Sequence, residues 1–109
     1  MGKIDIGDIR YVVKTGCSWK DAKVVETIIS EIADVRSKRV KYSFVHLISN
    51  EKNVFYDERV PIEELEKSTY TTRAAADDFR KEFMKFEAEF EIARIKSFLQ
   101  KEGIEYGGG

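Results

Sequence analysis

SWKDAKVVETIISEIADVRS, residues 18–37, is the stretch on which the order of elements turns. Val24, Val25, Ile28, Ile29, Ile32 and Val35 recur at steps of three and four, which reads as one apolar stripe on a helix. Ser18 suits the N-cap, where its hydroxyl accepts from a free amide of the first turn. Asp21, three residues on, suits the positive end of the helix dipole. The spacing predicts a first helix from about residue 19 to about residue 37.

The flanks read as strands. Upstream, Ile9, Tyr11 and Val13 alternate with Arg10, Val12 and Lys14, and Thr15-Gly16-Cys17 ends the pattern. Downstream, a strand runs from Val40 to about Ser49, apolar on both faces in its middle, as a central strand would be. Asn50-Glu51-Lys52-Asn53 is turn chemistry and Val54-Phe55-Tyr56 resumes a strand, so a hairpin is expected. Val60-Pro61-Ile62-Glu63-Glu64-Leu65 starts a short helical turn, since proline is tolerated at the first helical position. Thr71 or Thr72 caps a last helix from about residue 73 to about 102, with Gly103 past its end. The expected fold is α+β: a small antiparallel sheet with two main helices, order β-α-β-β-α, closed by a long C-terminal helix. No repeat or linker divides it, so residues 1–106 are taken as one domain and 107–109 as a glycine tail.

Composition bounds the function. A hydrophobic share of 42% with 36% charged residues is that of a globular chain. A formal net charge of −1 supplies no overall field toward nucleic acid or an anionic membrane, though local patches stay open. Cys17 is the one cysteine, so no internal disulfide can form, and a reducing, cytoplasmic setting is expected. The first residues lack a charged segment followed by an apolar run, so no signal peptide is expected. No apolar stretch is long enough to span a membrane. Gly2 does not read as a myristoylation site, because the serine or threonine that signal requires is replaced by Ile6.

On a wheel at roughly 100° per residue, the last helix carries two stripes. Ala76, Phe79, Phe83, Phe86, Phe90 and Ala93 form the first, read as the face that covers the sheet. Past Phe90 that stripe gives way to Ser97 and Lys101. Met84, Ala88, Ile92, Ile95, Phe98 and Leu99 gather on nearly the opposite side. Neither proline nor glycine is present to kink the helix. The second stripe is therefore expected to meet either the first helix or the 61–65 turn, or a second copy of the chain.

Catalytic signals are sparse. His46, the sole histidine, alternates with Tyr42, Phe44 and Ile48 and reads as a hydrogen-bonded residue in or near the core; a small enzyme built around it is one alternative. One Cys and one His cannot make a zinc site within a monomer, and no phosphate-binding glycine motif is present, so no metal and no cofactor are expected. Cys17 lies just ahead of the expected helix N-terminus, where a thiol pKa can fall. Arg36, Lys38, Arg39 and Lys41 are the densest basic cluster. They suit a helix C-terminus, or else an anion patch for RNA, DNA or a nucleotide, with Tyr42 or Tyr11 to stack and Arg73 and Arg80 to join it. Asp57, Glu58, Glu63, Glu64 and Glu66 read as a solvated connector. Trp19 reads either as a partner anchor or as a staple of the helix to the sheet.

The sequence is thus read as a non-enzymatic binding or regulatory protein, a small accessory or inhibitor of the kind bacteria or their viruses carry. It is expected to act as a homodimer through Met84, Ala88, Ile92, Ile95, Phe98 and Leu99. A further protein partner is left open and no membrane contact is expected. A nucleotide- or RNA-binding protein using the residue 36–41 patch is the alternative.

Overall fold

Residues 23–36 form a β-strand in the computed structural model, which describes residues 4–104. The helix expected at 19–37 is replaced by one 3-10 turn, Trp19–Asp21, and a long strand, Lys23–Arg36. Ser18 does accept a hydrogen bond from the Lys20 amide at 3.1 Å, but it caps that single turn only. A strand apolar on both faces and a helix with a broad stripe occupy many of the same positions, so spacing alone did not separate them. Side-chain shape does separate them. Val24, Val25, Thr27, Ile28, Ile29, Ile32 and Val35 are β-branched, stiff at χ1 and better fitted to a pleated surface than to a helix. Val25, Thr27 and Ile29 are buried in alternation, the period of a strand.

The sheet is a four-stranded antiparallel meander in sequence order: β1 (Ile9–Lys14), β2 (Lys23–Arg36), β3 (Lys41–Ser49) and β4 (Asp57–Pro61). The order is therefore strand-first, not β-α-β-β-α, with a single long helix in place of two main ones. β4 also begins later than expected. Val54 and Tyr56 lie in the loop and pack against the core, and Val60 falls opposite Val45.

One face of the sheet carries the core. Val12, Val25, Ile29, Val45, Leu47 and Val60 project from it and meet Leu65 from the short helix α1 (Leu65–Ser68), with Ile4, Val54, Tyr56 and Ile62 packed around them. Each such side chain contributes about 1.5–3 kcal/mol on burial. A register shift in β2 between Ile29 and Glu31 keeps Ile32 opposite Val45. Thr27, also buried, satisfies its hydroxyl by donating to the Arg10 carbonyl at 2.8 Å.

From α1 the chain turns the corner of the sheet at Tyr70. Its backbone exchanges two hydrogen bonds with Tyr11, of 2.9 and 2.8 Å, closing part of the outer edge of β1. The chain then enters α2 (Arg73–Lys101) on the opposite face, beside Tyr11 and Glu26, which alternate with the core residues Val12 and Val25.

α2 is the element whose local signals were complete. Thr72 caps it, accepting from the Ala75 amide at 3.2 Å, and no proline or glycine interrupts it. Gly103 sits at φ 69°, with its amide bonded to the Gln100 carbonyl and the Ile104 amide to the Leu99 carbonyl, a Schellman closure. The molecule is drawn out along this helix. Its radius of gyration is 19.0 Å, against about 13 Å for a compact chain of this length. Among the described residues no helix is long and apolar enough to cross a membrane. The boundary at residue 106 and the 107–109 tail lie outside the described residues.

Candidate partner-binding surface

α2 is fastened to the sheet at two points. At its start, the Arg73 guanidinium lies over the Tyr11 ring, 5.3 Å to the centroid, and pairs with Glu51 and, at 3.7 Å, with Glu26. Glu51 also accepts from the Glu26 amide at 3.0 Å. The Arg73 hydrogen bond, and after it this amide, hold the Glu51 carboxyl below its ordinary range. Further along, the Trp19 indole donates to the Glu91 carboxylate at 2.9 Å. Trp19 is thus placed as a staple between the β1–β2 connection and the helix. Residues 73–91 span about 27 Å, and residues 92–101 extend about 15 Å further.

The face turned toward the sheet is neither of the two apolar stripes. Ala76 is the one buried residue of α2, and Arg80, Phe83, Met84, Glu87, Ala88 and Glu91 are half-buried. On the wheel these center between the two stripes. The phenylalanine stripe is therefore not the sheet-covering face expected from the sequence. Phe79 touches the Tyr70 ring, but Phe79, Phe86 and Phe90 all stay exposed. The reason lies in the neighbours: the sheet face under α2 offers Tyr11, Glu26 and the 19–21 turn, so polar Arg80, Glu87 and Glu91 meet it as readily as rings do.

Of the residues expected to bind a second copy, Met84, Ala88 and Leu99 are half-buried, while Ile92, Ile95 and Phe98 are exposed. Neither the 61–65 turn nor a first helix covers them. The exposed large apolar side chains on α2 range from 44% (Ile95) to 65% (Phe86) accessible. From Phe86 onward apolar side chains lie on several sides of the helix, interleaved with charged and polar ones.

Charge is unevenly distributed along the same helix. Asp77, Asp78, Glu82, Glu87, Glu89 and Glu91 outnumber Arg73, Arg80, Lys81 and Lys85 in its first two-thirds. Residues 92–101 contain Arg94, Lys96 and Lys101 and no aspartate or glutamate. Asp77 binds Arg80 at 2.7 Å and Lys81 at 3.3 Å, and these partners, Arg80 foremost, hold its carboxyl below the usual range.

No family model, curated protein or solved structure matches the chain. The geometry of the surface itself therefore carries the functional reading.

The remaining candidates sit elsewhere. Arg36, Lys38, Arg39 and Lys41 occupy the β2–β3 hairpin, not a helix C-terminus, so the helix dipole no longer accounts for them. Lys41 pairs with Asp34 at 3.3 Å. The Ser43 hydroxyl and then Lys41 lower the Asp34 carboxyl. Tyr42 lies beside the cluster, exposed, at a cleft of about 480 Å³ lined with Val35, Phe44, Arg59 and Pro61. Tyr11, Arg73 and Arg80 do not join it; they lie toward the other end of β2, near Lys23 and Glu26.

His46 has a partner that the sequence reading missed: its Nε2 lies 2.6 Å from Asp57 Oδ1. Asp57 had been assigned to a solvated connector, whereas it belongs to β4 and reaches His46 across the β3–β4 pair. The signal was the alternation itself, once β4 is registered against β3. Cys17 is exposed ahead of a single 3-10 turn, not at the N-terminus of a long helix. No cluster of three or more potential metal ligands occurs among the described residues.

Proposed function

We propose that the protein is a non-enzymatic binding or regulatory protein that works as a homodimer joined through α2. The observation that carries this reading is the exposure of Phe79, Phe86, Phe90, Ile92, Ile95 and Phe98 on one helix of a single chain. Six large apolar side chains left exposed on one helix are characteristic of an interaction site. The 15 Å extension of α2 past its last fastening at Glu91 adds support, since an isolated helix end gains little stability from propensity alone.

Light scattering and native mass spectrometry test the proposal. The wild-type chain is expected to be a dimer, and Ile95→Glu with Phe98→Glu together should give a folded monomer. A wild-type chain that stays monomeric at high concentration would end the reading.

A further inference from the structure

The surface on α2 has a property of its own: it matches itself when turned end for end. Ala76, Phe79, Phe83, Phe86, Phe90, Ala93 and Ser97 follow one another at alternating steps of three and four, the seam of a coiled coil. Large rings fill the first part of the exposed seam and small side chains the last part. Charge runs the same way, acid-rich first and purely basic last. A surface that is large and acidic at one end, small and basic at the other, is complementary to its own reverse.

Resting on the homodimer reading, we propose that two copies of α2 pair antiparallel, with Phe86 beside the partner's Phe90 at the two-fold axis. That register sets Phe83 against the partner's Ala93 and Phe79 against the partner's Ser97. Each large ring then meets a small residue, which fills the seam without overpacking. A parallel pair in register would instead stack four phenylalanines on their own copies and leave Ala93 and Ser97 facing Ala93 and Ser97. It would also lay acids on acids and bases on bases.

The two flanks differ in what the antiparallel register brings together. Arg80, Glu87 and Arg94 lie on the flank nearer the chain's own sheet, the first two half-buried and Arg94 exposed, and Glu82, Glu89 and Lys96 are exposed on the other. Turned end for end, Glu82 of each copy lies near the partner's Lys96, giving two opposite-charge pairs. Glu89 meets the partner's Glu89 near the axis, and on the sheet-side flank Arg80 falls near the partner's Arg94 and Glu87 near the partner's Glu87, so the antiparallel choice rests on the large-to-small seam and not on the flank charges. The two-fold also places both sheets on one side of the helix pair. Phe98 and Ile95, which share the sheet-facing side of α2 with Arg80 and Glu91, then point toward the partner's sheet. Ile95 and Phe98 of the second stripe thus gain cover from the same second copy as the phenylalanine seam.

Distance measurement between spin labels tests the orientation. Cys17 is exposed, so Cys17→Ser with Glu102→Cys leaves one labelling position at the helix end. In the antiparallel register the two labels stand about 42 Å apart along the axis, from 1.5 Å per residue. A parallel pair at the usual interaxial spacing holds them within roughly 20 Å. A distance near the longer value supports the proposal. The shorter value overturns the antiparallel arrangement and leaves the homodimer standing, whereas a monomer under all conditions overturns both.

Charge reversal supplies a second, independent measurement. Glu82→Lys and Lys96→Glu should each weaken the dimer about tenfold, and the two together should restore it. Failure of the double variant to recover would count against the Glu82–Lys96 register.

Discussion

Truncating Leu65 and truncating Phe86 remove comparable apolar groups from opposite circumstances, and concentration should tell the two variants apart. Leu65 is 0% exposed and closes the core against Val12, Val25, Ile29, Val45, Leu47 and Val60. Leu65→Ala deletes those contacts and leaves a cavity, at a cost of about 2–5 kcal/mol. Phe86 is 65% exposed in the single chain. Only about a third of the ~1.5–3 kcal/mol available from burying a phenylalanine is then realised there, roughly 0.5–1 kcal/mol. The other two-thirds, ~1–2 kcal/mol per chain, is gained on association.

Urea denaturation followed by Trp19 fluorescence, at protein concentrations from well below to well above the dimer Kd, reads the difference. Leu65→Ala should lower the midpoint at every concentration. Phe86→Ala should leave the dilute midpoint close to wild type and remove most of the gain seen on concentrating the protein. A Phe86→Ala loss as large as that of Leu65→Ala in the dilute sample would refute the reasoning, because the single chain would then be burying the Phe86 ring.

Two further outcomes follow from the electrostatics. Glu51 is held below its ordinary 4.5 by Arg73 and the Glu26 amide, so its contribution is whole above that pH and is lost as the pH falls through the lowered value. Melting temperature against pH should therefore drop more steeply below pH 4.5 for wild type than for Glu51→Gln; parallel acid limbs would show that Arg73 does not anchor α2 through this pair. On the alternative reading of the β2–β3 hairpin as an anion site, Arg36, Lys38, Arg39 and Lys41 beside exposed Tyr42 would bind a fluorescent single-stranded oligonucleotide with an affinity that falls steeply with salt and is abolished by Arg39→Glu. Binding that is absent or indifferent to salt would remove the anion reading of that hairpin.

The candidate surface was legible in part. The apolar residues of the last helix could be enumerated from spacing, but the covered side draws Ala76 and Phe83 from one expected stripe and Met84 and Ala88 from the other. Which side meets the sheet was not legible, because it depends on Tyr11, Glu26 and the 19–21 turn lying beneath the helix, and these come from distant parts of the chain. The pairing of His46 with Asp57 was hidden for a related reason. It follows from the register of β4 on β3, and the sequence reading had placed that strand at 54–56.

α2 was determined by the sequence alone, from the Thr72 cap to the Gly103 closure, because every hydrogen bond of a helix is made within a few residues of its donor. The class of the fold, helix with antiparallel sheet, was accessible by the same means. β2 was not. Its residues satisfy helical and strand periodicities together, and the decision lies with β1 and β3, whose ladders supply backbone partners on both sides of it. A strand's hydrogen bonds are made to other strands, so the tertiary structure decided what the local pattern left degenerate.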